Sequence, residues 1–143
     1  MIRLLIDTNI VIDLLAKREE FYREAATLFS LADKNMITLT VSALTFANTN
    51  YILSKLKKEK EARTILRKFK VLVQTLALDD KVTELALNDD NFPDFEDGLQ
   101  YYSALENEID IIITRNQKDL KISKIPVMSA KEYLARKKPV YNN

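Results

Sequence analysis

Ile2-Arg3-Leu4-Leu5-Ile6-Asp7-Thr8-Asn9 is the stretch from which the fold can be read. Four of the five residues before Asp7 are apolar, and they do not alternate with polar ones. That is the pattern of a short strand buried on both faces inside a parallel sheet. The run stops on three polar residues, and Asn9 to Ala16 then reads as a helix. The same order of events recurs down the chain. Ile37 to Val41 reads as a strand, with Ser42 as the N-cap of a helix reaching about Lys57. Val71 to Leu76 reads as a third strand, followed by Asp79 and a helix from Asp80 to Leu87. Ile109 to Thr114 is the most strand-like segment and gives way to Arg115-Asn116. Ile125 to Met128 is a last short strand before a helix near Ala130 to Arg136.

Helices fill the remaining intervals. Glu19 to Lys34 carries Phe21, Ala25, Leu28 and Ala32 at helical spacing, and Glu59 to Phe69 reads as a basic helix. Asn91 to Pro93 is a break, after which Asp94 caps a helix to about Asn107 and places Asp97 three residues into it. Strands alternating with helices predict an α/β fold whose central sheet is largely parallel, with right-handed crossovers. No linker, repeat or low-complexity tract divides the chain, so a single domain over 1–136 is expected, with 137–143 as a short basic and polar tail. In such sheets functional groups gather outside the carboxyl ends of the strands. That rule points to Asp7-Thr8-Asn9, Ser42 and Arg115-Asn116.

What the chain lacks narrows its chemistry. Among 143 residues there is no cysteine and no histidine. This removes disulfides, thiolate zinc sites, cysteine nucleophiles, a Ser-His-Asp triad and imidazole acid–base pairs. The single glycine, Gly98, excludes a P-loop and a dinucleotide-binding glycine fingerprint. Carboxylates, amides, hydroxyls, Lys, Arg and Tyr remain, together with any metal held through oxygen. No apolar run approaches the roughly 20 residues needed to span a bilayer. Met1 to Ile6 is too short for a signal peptide, so no membrane contact and a cytoplasmic place are expected.

The net charge is only +1, yet charge is strongly segregated. Lys55 to Lys70 holds eight basic and two acidic residues, and Asp79 to Asp110 holds eleven acidic residues and one lysine. From Arg115 onward there are again eight basic and two acidic residues. One reading is a set of solvated helix faces. The other is a basic rim around an acidic site, suited to a polyanion held against bound cations, with Lys57, Lys58, Lys60 and Arg115 on phosphates.

Asp7 can be read as a helix cap or as a metal ligand rigidly aimed from a strand end. Asp94 and Asp97 share a helix face and suit one cation, or serve only to complement the helix dipole. Asp119, with Arg115, Asn116 and Lys118, forms a third cluster whose composition also suits a plain turn. Carboxylates from separated parts of the chain that meet at one sheet edge repel each other unless a cation lies among them. All-oxygen ligands suit Mg²⁺ or Mn²⁺, ions that activate water and stabilise a phosphoryl group during in-line displacement. Metal-assisted phosphodiester hydrolysis is the reaction class that fits best.

Four motifs, taken in order, resemble the PIN domain. They are Leu-Ile-Asp7-Thr8-Asn9-Ile-Val-Ile-Asp13, Ser42-Ala-Leu-Thr45-Phe-Ala-Asn48, Asp94-Phe-Glu-Asp97-Gly-Leu-Gln and Ile113-Thr114-Arg115-Asn116-Gln-Lys-Asp119-Leu. The likeness runs from Ile2 to about Leu134 and is strongest to the branch that includes the VapC-like toxins of toxin–antitoxin operons. It implies a parallel sheet of strand order 3-2-1-4-5 and a Mg²⁺- or Mn²⁺-dependent ribonuclease acting on RNA. It also implies a homodimer and a cognate antitoxin seated in the active-site groove. By the same resemblance Asp7, Asp97 and Asp119 are the catalytic, metal-binding acids; Asp94, from its place on the Asp97 helix face, is an additional candidate ligand. Thr8, Asn9 and Asn116 are supporting polar groups.

One position departs from the pattern. The family's second acid, a glutamate in the helix after the second strand, falls on Asn48. An amide coordinates through its oxygen but brings no charge, which lowers metal affinity. Two functions therefore stand: a toxin endoribonuclease of a type II pair, and a catalytically weak PIN-like module that binds RNA or protein. A third, with Asp7 as a phosphoryl-accepting nucleophile of the haloacid-dehalogenase kind, calls for an acid two residues on, where Asn9 stands.

Overall fold

Side chains along a strand alternate between its two faces, and this divides the core of the molecule in two. Leu4, Ile6, Ile111 and Ile113 belong to one apolar cluster, while Leu5 and Ile112 belong to another. The computed structural model describes residues 1–141. The chain runs β1 (Arg3–Ile6), α1 (Thr8–Leu15), α2 (Tyr22–Asp33), β2 (Thr38–Ser42), α3 (Ala43–Leu56), α4 (Glu59–Lys70) and β3 (Gln74–Leu76). It continues through α5 (Asp80–Leu87), α6 (Phe95–Glu106), β4 (Ile111–Ile113), a 3-10 turn at Gln117–Leu120, β5 (Val127–Met128) and α7 (Ala130–Tyr141).

The five strands lie in the order β3-β2-β1-β4-β5 and every pairing is parallel. This is the α/β architecture and the strand order expected. On one face the core is closed by Ile10 and Val11 of α1, Leu28 and Phe29 of α2, Phe69 of α4 and Tyr133 of α7. On the other it is closed by Tyr101 and Ala104 of α6, with Phe92 and Leu120. β1 is central, and Leu4, Leu5 and Ile6 are fully buried. The polar residues that follow β1 and β4 therefore emerge side by side from the middle of the sheet.

Several boundaries differ from the sequence expectation, each for a local hydrogen-bonding reason. The third strand shrinks to Gln74–Leu76 because Val71, Leu72 and Val73 still donate to carbonyls of Lys68, Phe69 and Lys70, closing the helix instead of joining the sheet. The fourth begins at Ile111, since Ile109 N–H returns to Ala104 O through Glu108 at φ 56° and ends α6. The fifth is only Val127–Met128, preceded by Pro126, which has no N–H to give. The second helix starts at Tyr22 because Lys17 takes a φ of 52° and Arg18 O accepts from Phe21 and Tyr22 in a turn. The last helix extends past Arg136 into the segment read as a tail, and residues 142 and 143 lie outside the described residues. Among the described residues no helix is long and apolar enough to cross a membrane.

Gly98 sits inside α6 with an ordinary negative φ. A Cβ built there would meet Ala86 Cβ at 3.5 Å and Phe92 Cβ at 3.6 Å, which is normal van der Waals contact. Gly98→Ala is therefore expected to stabilise the fold by about 0.5–1 kcal/mol, through helix propensity and a smaller loss of chain entropy. Urea denaturation of both proteins checks this; a destabilised variant would show that α5 and α6 pack too tightly for a methyl group.

Candidate active site

Asp7 leaves the end of β1 with its backbone still in the ladder, its N–H donating to Ile113 O at 3.0 Å. It occupies the N-cap position of α1, but its side chain makes no capping hydrogen bond. The carboxylate is held from elsewhere. Thr114 Oγ1 donates to Asp7 Oδ2 at 2.8 Å and Gln100 Nε2 donates to Asp7 Oδ1 at 3.2 Å. Thr114 is buried at the end of β4 and its hydroxyl also accepts the Asn116 N–H at 3.0 Å. The Asp7 side chain is therefore not a helix cap; its carboxylate is oriented from β4 and α6.

The second acidic group enters from α6. Asp94 caps this helix as its position predicts, accepting the Glu96 N–H at 2.9 Å. Asp97 is half-buried one turn before Gln100, on the same helix face, and so reaches the same place. Its carboxyl is pushed up to about 6, first by burial and then by the charges of Asp94, Asp119, Asp7 and Glu96. Asp7 and Asp97, with Asp94 and Glu96, line a cleft of about 370 Å³.

The cleft also takes in the supporting polar groups Thr8, Asn9 and Asn116, together with Asn48. Thr8 Oγ1 and Thr45 Oγ1 share a hydrogen bond at 2.9 Å, which ties α1 to α3 beneath it. Asp119 does not line the cleft; it lies in the 3-10 turn, near enough for its charge to act on Asp97. Among the described residues no three acidic side chains are gathered closely enough to hold one ion. The donor set nevertheless fits a hard cation: carboxylate and amide oxygens, mutual repulsion at Asp97, and no lysine or arginine in the lining.

The basic residues fall elsewhere. Lys57, Lys58 and Lys60 are exposed around the α3–α4 junction, outside the cleft lining. Arg115, expected on RNA phosphate, is committed inside the protein. Its Nη2 donates to Asp13 Oδ1 at 3.0 Å and its guanidinium stacks 3.9 Å from the Phe21 ring centroid. The strand end turns this side chain away from the cleft, toward α1 and α2.

Five residues with a part in this arrangement were given no role from the sequence. Asp13 is completely buried, paired with Arg115 and, at 3.6 Å, with Arg18. Burial pushes its carboxyl up, and both guanidiniums oppose that shift. The signal was present in Ile12-Asp13-Leu14-Leu15, a lone charge within an apolar stretch. Gln100 was legible as the residue one helical turn after Asp97, and Thr114 as the hydroxyl directly after three isoleucines. Thr45 and Tyr51 carried no signal beyond helical spacing from Asn48.

Residues 3–118 match the PIN domain family. Over 137 residues the chain is 25% identical to Ribonuclease VapC1 of Aquifex aeolicus strain VF5, with 94% of each protein covered. Its fold is similar to that of VapBC2 from Rickettsia felis bound to a promoter DNA fragment, with TM-score 0.66 and 21% identity over 90% of this chain and 98% of that one. A toxin–antitoxin complex from Klebsiella pneumoniae is similar at TM-score 0.66 and 24% identity, over 89% of this chain and 97% of that one. A match spanning most of the domain, on a sheet wound in the order the motifs implied, leaves one assignment: the chain belongs to the PIN domain family.

Proposed function

We propose that this PIN domain is a Mg²⁺- or Mn²⁺-dependent endoribonuclease and the toxin of a type II toxin–antitoxin pair. The observation that carries the reading is the convergence of Asp7 and Asp97 on one cleft, from the end of β1 and the start of α6, with no cation in the lining to neutralise them. Asp7 and Asp97 would hold the metal, with Asn48 contributing its carbonyl oxygen and Asp94 standing close, while Asp119 adds negative charge from outside the lining. When bound, the ion supplies an activated water and neutralises charge on the phosphoryl group. Thr114 and Gln100 keep the Asp7 carboxylate in one orientation, while Thr8, Asn9 and Asn116 offer polar contacts to the substrate. Lys57, Lys58 and Lys60 lie beyond the cleft, where they suit a longer RNA strand.

The ribonuclease name of the Aquifex relative and the toxin–antitoxin description of the Klebsiella structure support the same reading. A cytoplasmic place, a homodimer and a cognate antitoxin belong to it. The other reading, a catalytically weak module that binds RNA or protein, is favoured by one residue, Asn48, which lines the cleft without a charge.

Cleavage of single-stranded RNA in Mn²⁺ decides between them. Asp7→Asn and Asp97→Asn should each remain folded and lose at least roughly a hundredfold in rate, the scale of removing a group that orients the metal. Wild-type protein that binds RNA but cleaves nothing at any Mn²⁺ concentration would leave the weak-module reading.

The raised Asp97 carboxyl has a signed consequence for the metal-free protein. Between its ordinary value of 3.8 and about 6, the folded state keeps a proton that the unfolded chain has released. Stability from this group is therefore lost as pH rises through that window. Relative to Asp97→Asn, wild type should lose about 1–2 kcal/mol between pH 4 and 7, after allowance for solvent screening. Thermal melts in EDTA measure the difference, and parallel pH profiles for the two proteins would contradict it.

Asn48→Glu gives an effect of opposite sign at and away from a metal site. At a shared site it adds an anionic ligand and should tighten Mn²⁺ roughly tenfold by calorimetric titration, with faster cleavage. Away from one, a new carboxylate beside Asp7 and Asp97 only adds repulsion, and Mn²⁺ affinity stays unchanged or falls.

A further inference from the structure

An acidic cleft repels the strand it is meant to cut, so something beside the metal must hold that strand. The surface next to the acids offers one group suited to this. Tyr51, on α3, lines the same cleft as Asp7 and Asp97 and is 63% exposed, a large exposure for an aromatic side chain placed in a concave site. Lys55 Nζ lies 4.2 Å from its ring centroid. Asn48, Tyr51, Ile52 and Lys55 fall at i, i+3, i+4 and i+7, which puts them in one stripe along α3. The stripe leads from the cleft-lining Asn48 amide through an aromatic platform to a cation, over about 10 Å of helix axis.

We infer that Tyr51 and Lys55 form a nucleobase-binding subsite beside the cleft: one base of single-stranded RNA stacks on the Tyr51 ring, and Lys55 holds an adjoining phosphate. The inference rests on the ribonuclease reading above and adds to it a place for the base. Every base has a π-face, so an aromatic platform grips a strand whatever its sequence. The Lys55 ammonium lies over the ring and supplies positive charge where the cleft lining supplies none. Its own attraction to the ring is weak at an exposed site and is readily exchanged for a phosphate. A protein partner is the competing occupant of an exposed tyrosine. The acid-flanked position and the neighbouring lysine favour a strand with both phosphates and bases.

The chain contains no tryptophan, so Tyr51→Trp installs a single fluorescent reporter. The test uses a mixed-sequence single-stranded RNA decamer in Ca²⁺, with inorganic polyphosphate as a polyanion without bases. The decamer should quench the indole fluorescence of this variant and polyphosphate should not. By anisotropy, Tyr51→Leu should weaken decamer binding about tenfold, as expected for loss of one stacked base, whereas Tyr51→Phe restores it. Lys55→Gln should lower the slope of log affinity against log salt by about 0.7, one phosphate on a single strand. Mn²⁺ affinity is measured on each variant as a control for the acidic site. Tyr51→Leu binding as tightly as wild type, or equal quenching by polyphosphate, overturns the subsite. So does a Tyr51→Phe protein as weak as Tyr51→Leu. Absence of Mn²⁺-dependent cleavage by wild type would instead defeat the ribonuclease reading, while the binding measurements still decide the platform.

Discussion

Parallel pairing of β1 with β4 is the constraint on which the site depends. It brings two strand ends to one edge of the sheet and carries the ladder one residue further, through Asp7 N–H to Ile113 O. Asp7 and Thr114 therefore face each other without any loop having to find its place. The hydroxyl of Thr114 then serves two partners, donating to the Asp7 carboxylate and accepting from the Asn116 N–H. A ladder buried on both faces is among the least mobile parts of an α/β domain. A carboxylate fixed to it is preorganised for any cation that arrives.

The same turn is clamped from its other side. Arg115 lies between Thr114 and Asn116, and its side chain runs back to the buried Asp13 of α1 and the Phe21 ring. Asp13 is fully buried and Arg115 partly so, and desolvating them costs much of what their attraction returns, so such a pair contributes little net stability. Breaking it is another matter, because it would leave Asp13 buried with only Arg18, at 3.6 Å, beside it. The pair thus sets a direction: it turns residue 115 away from the cleft while Thr114 bonds to Asp7 and Asn116 lines the cleft. Alternate residues of one short segment serve the core clamp and the acidic site.

Much of this was legible from local pattern. The unalternating apolar runs ending at Asp7 and Thr114 marked strands buried on both faces, and the motif order implied the sheet order that the structure has. Asp7, Asp97 and Asn116 were recognisable as residues just beyond strand ends or one turn into a helix, Asn48 only through the family resemblance, and all four line the cleft. Strand lengths were read too long, because apolar residues such as Val71 and Ile109 bury themselves equally well in a helix-closing turn. The role of Arg115 was misread for a related reason. A charged residue at a strand end looks the same in sequence whether it faces solvent or a buried partner.

By itself the sequence determined the α/β class, the oxygen-only chemistry and the positions where acids leave the sheet. These follow from residue type and spacing within a few turns of chain. Only the tertiary structure decided that Gln100 and Thr114 orient Asp7, that Asp119 acts on Asp97 from outside the cleft, and that Asp13 claims Arg115. Each of these contacts depends on where separate elements come to rest across the sheet. Direction and distance between remote side chains are set by packing, which a linear pattern does not carry.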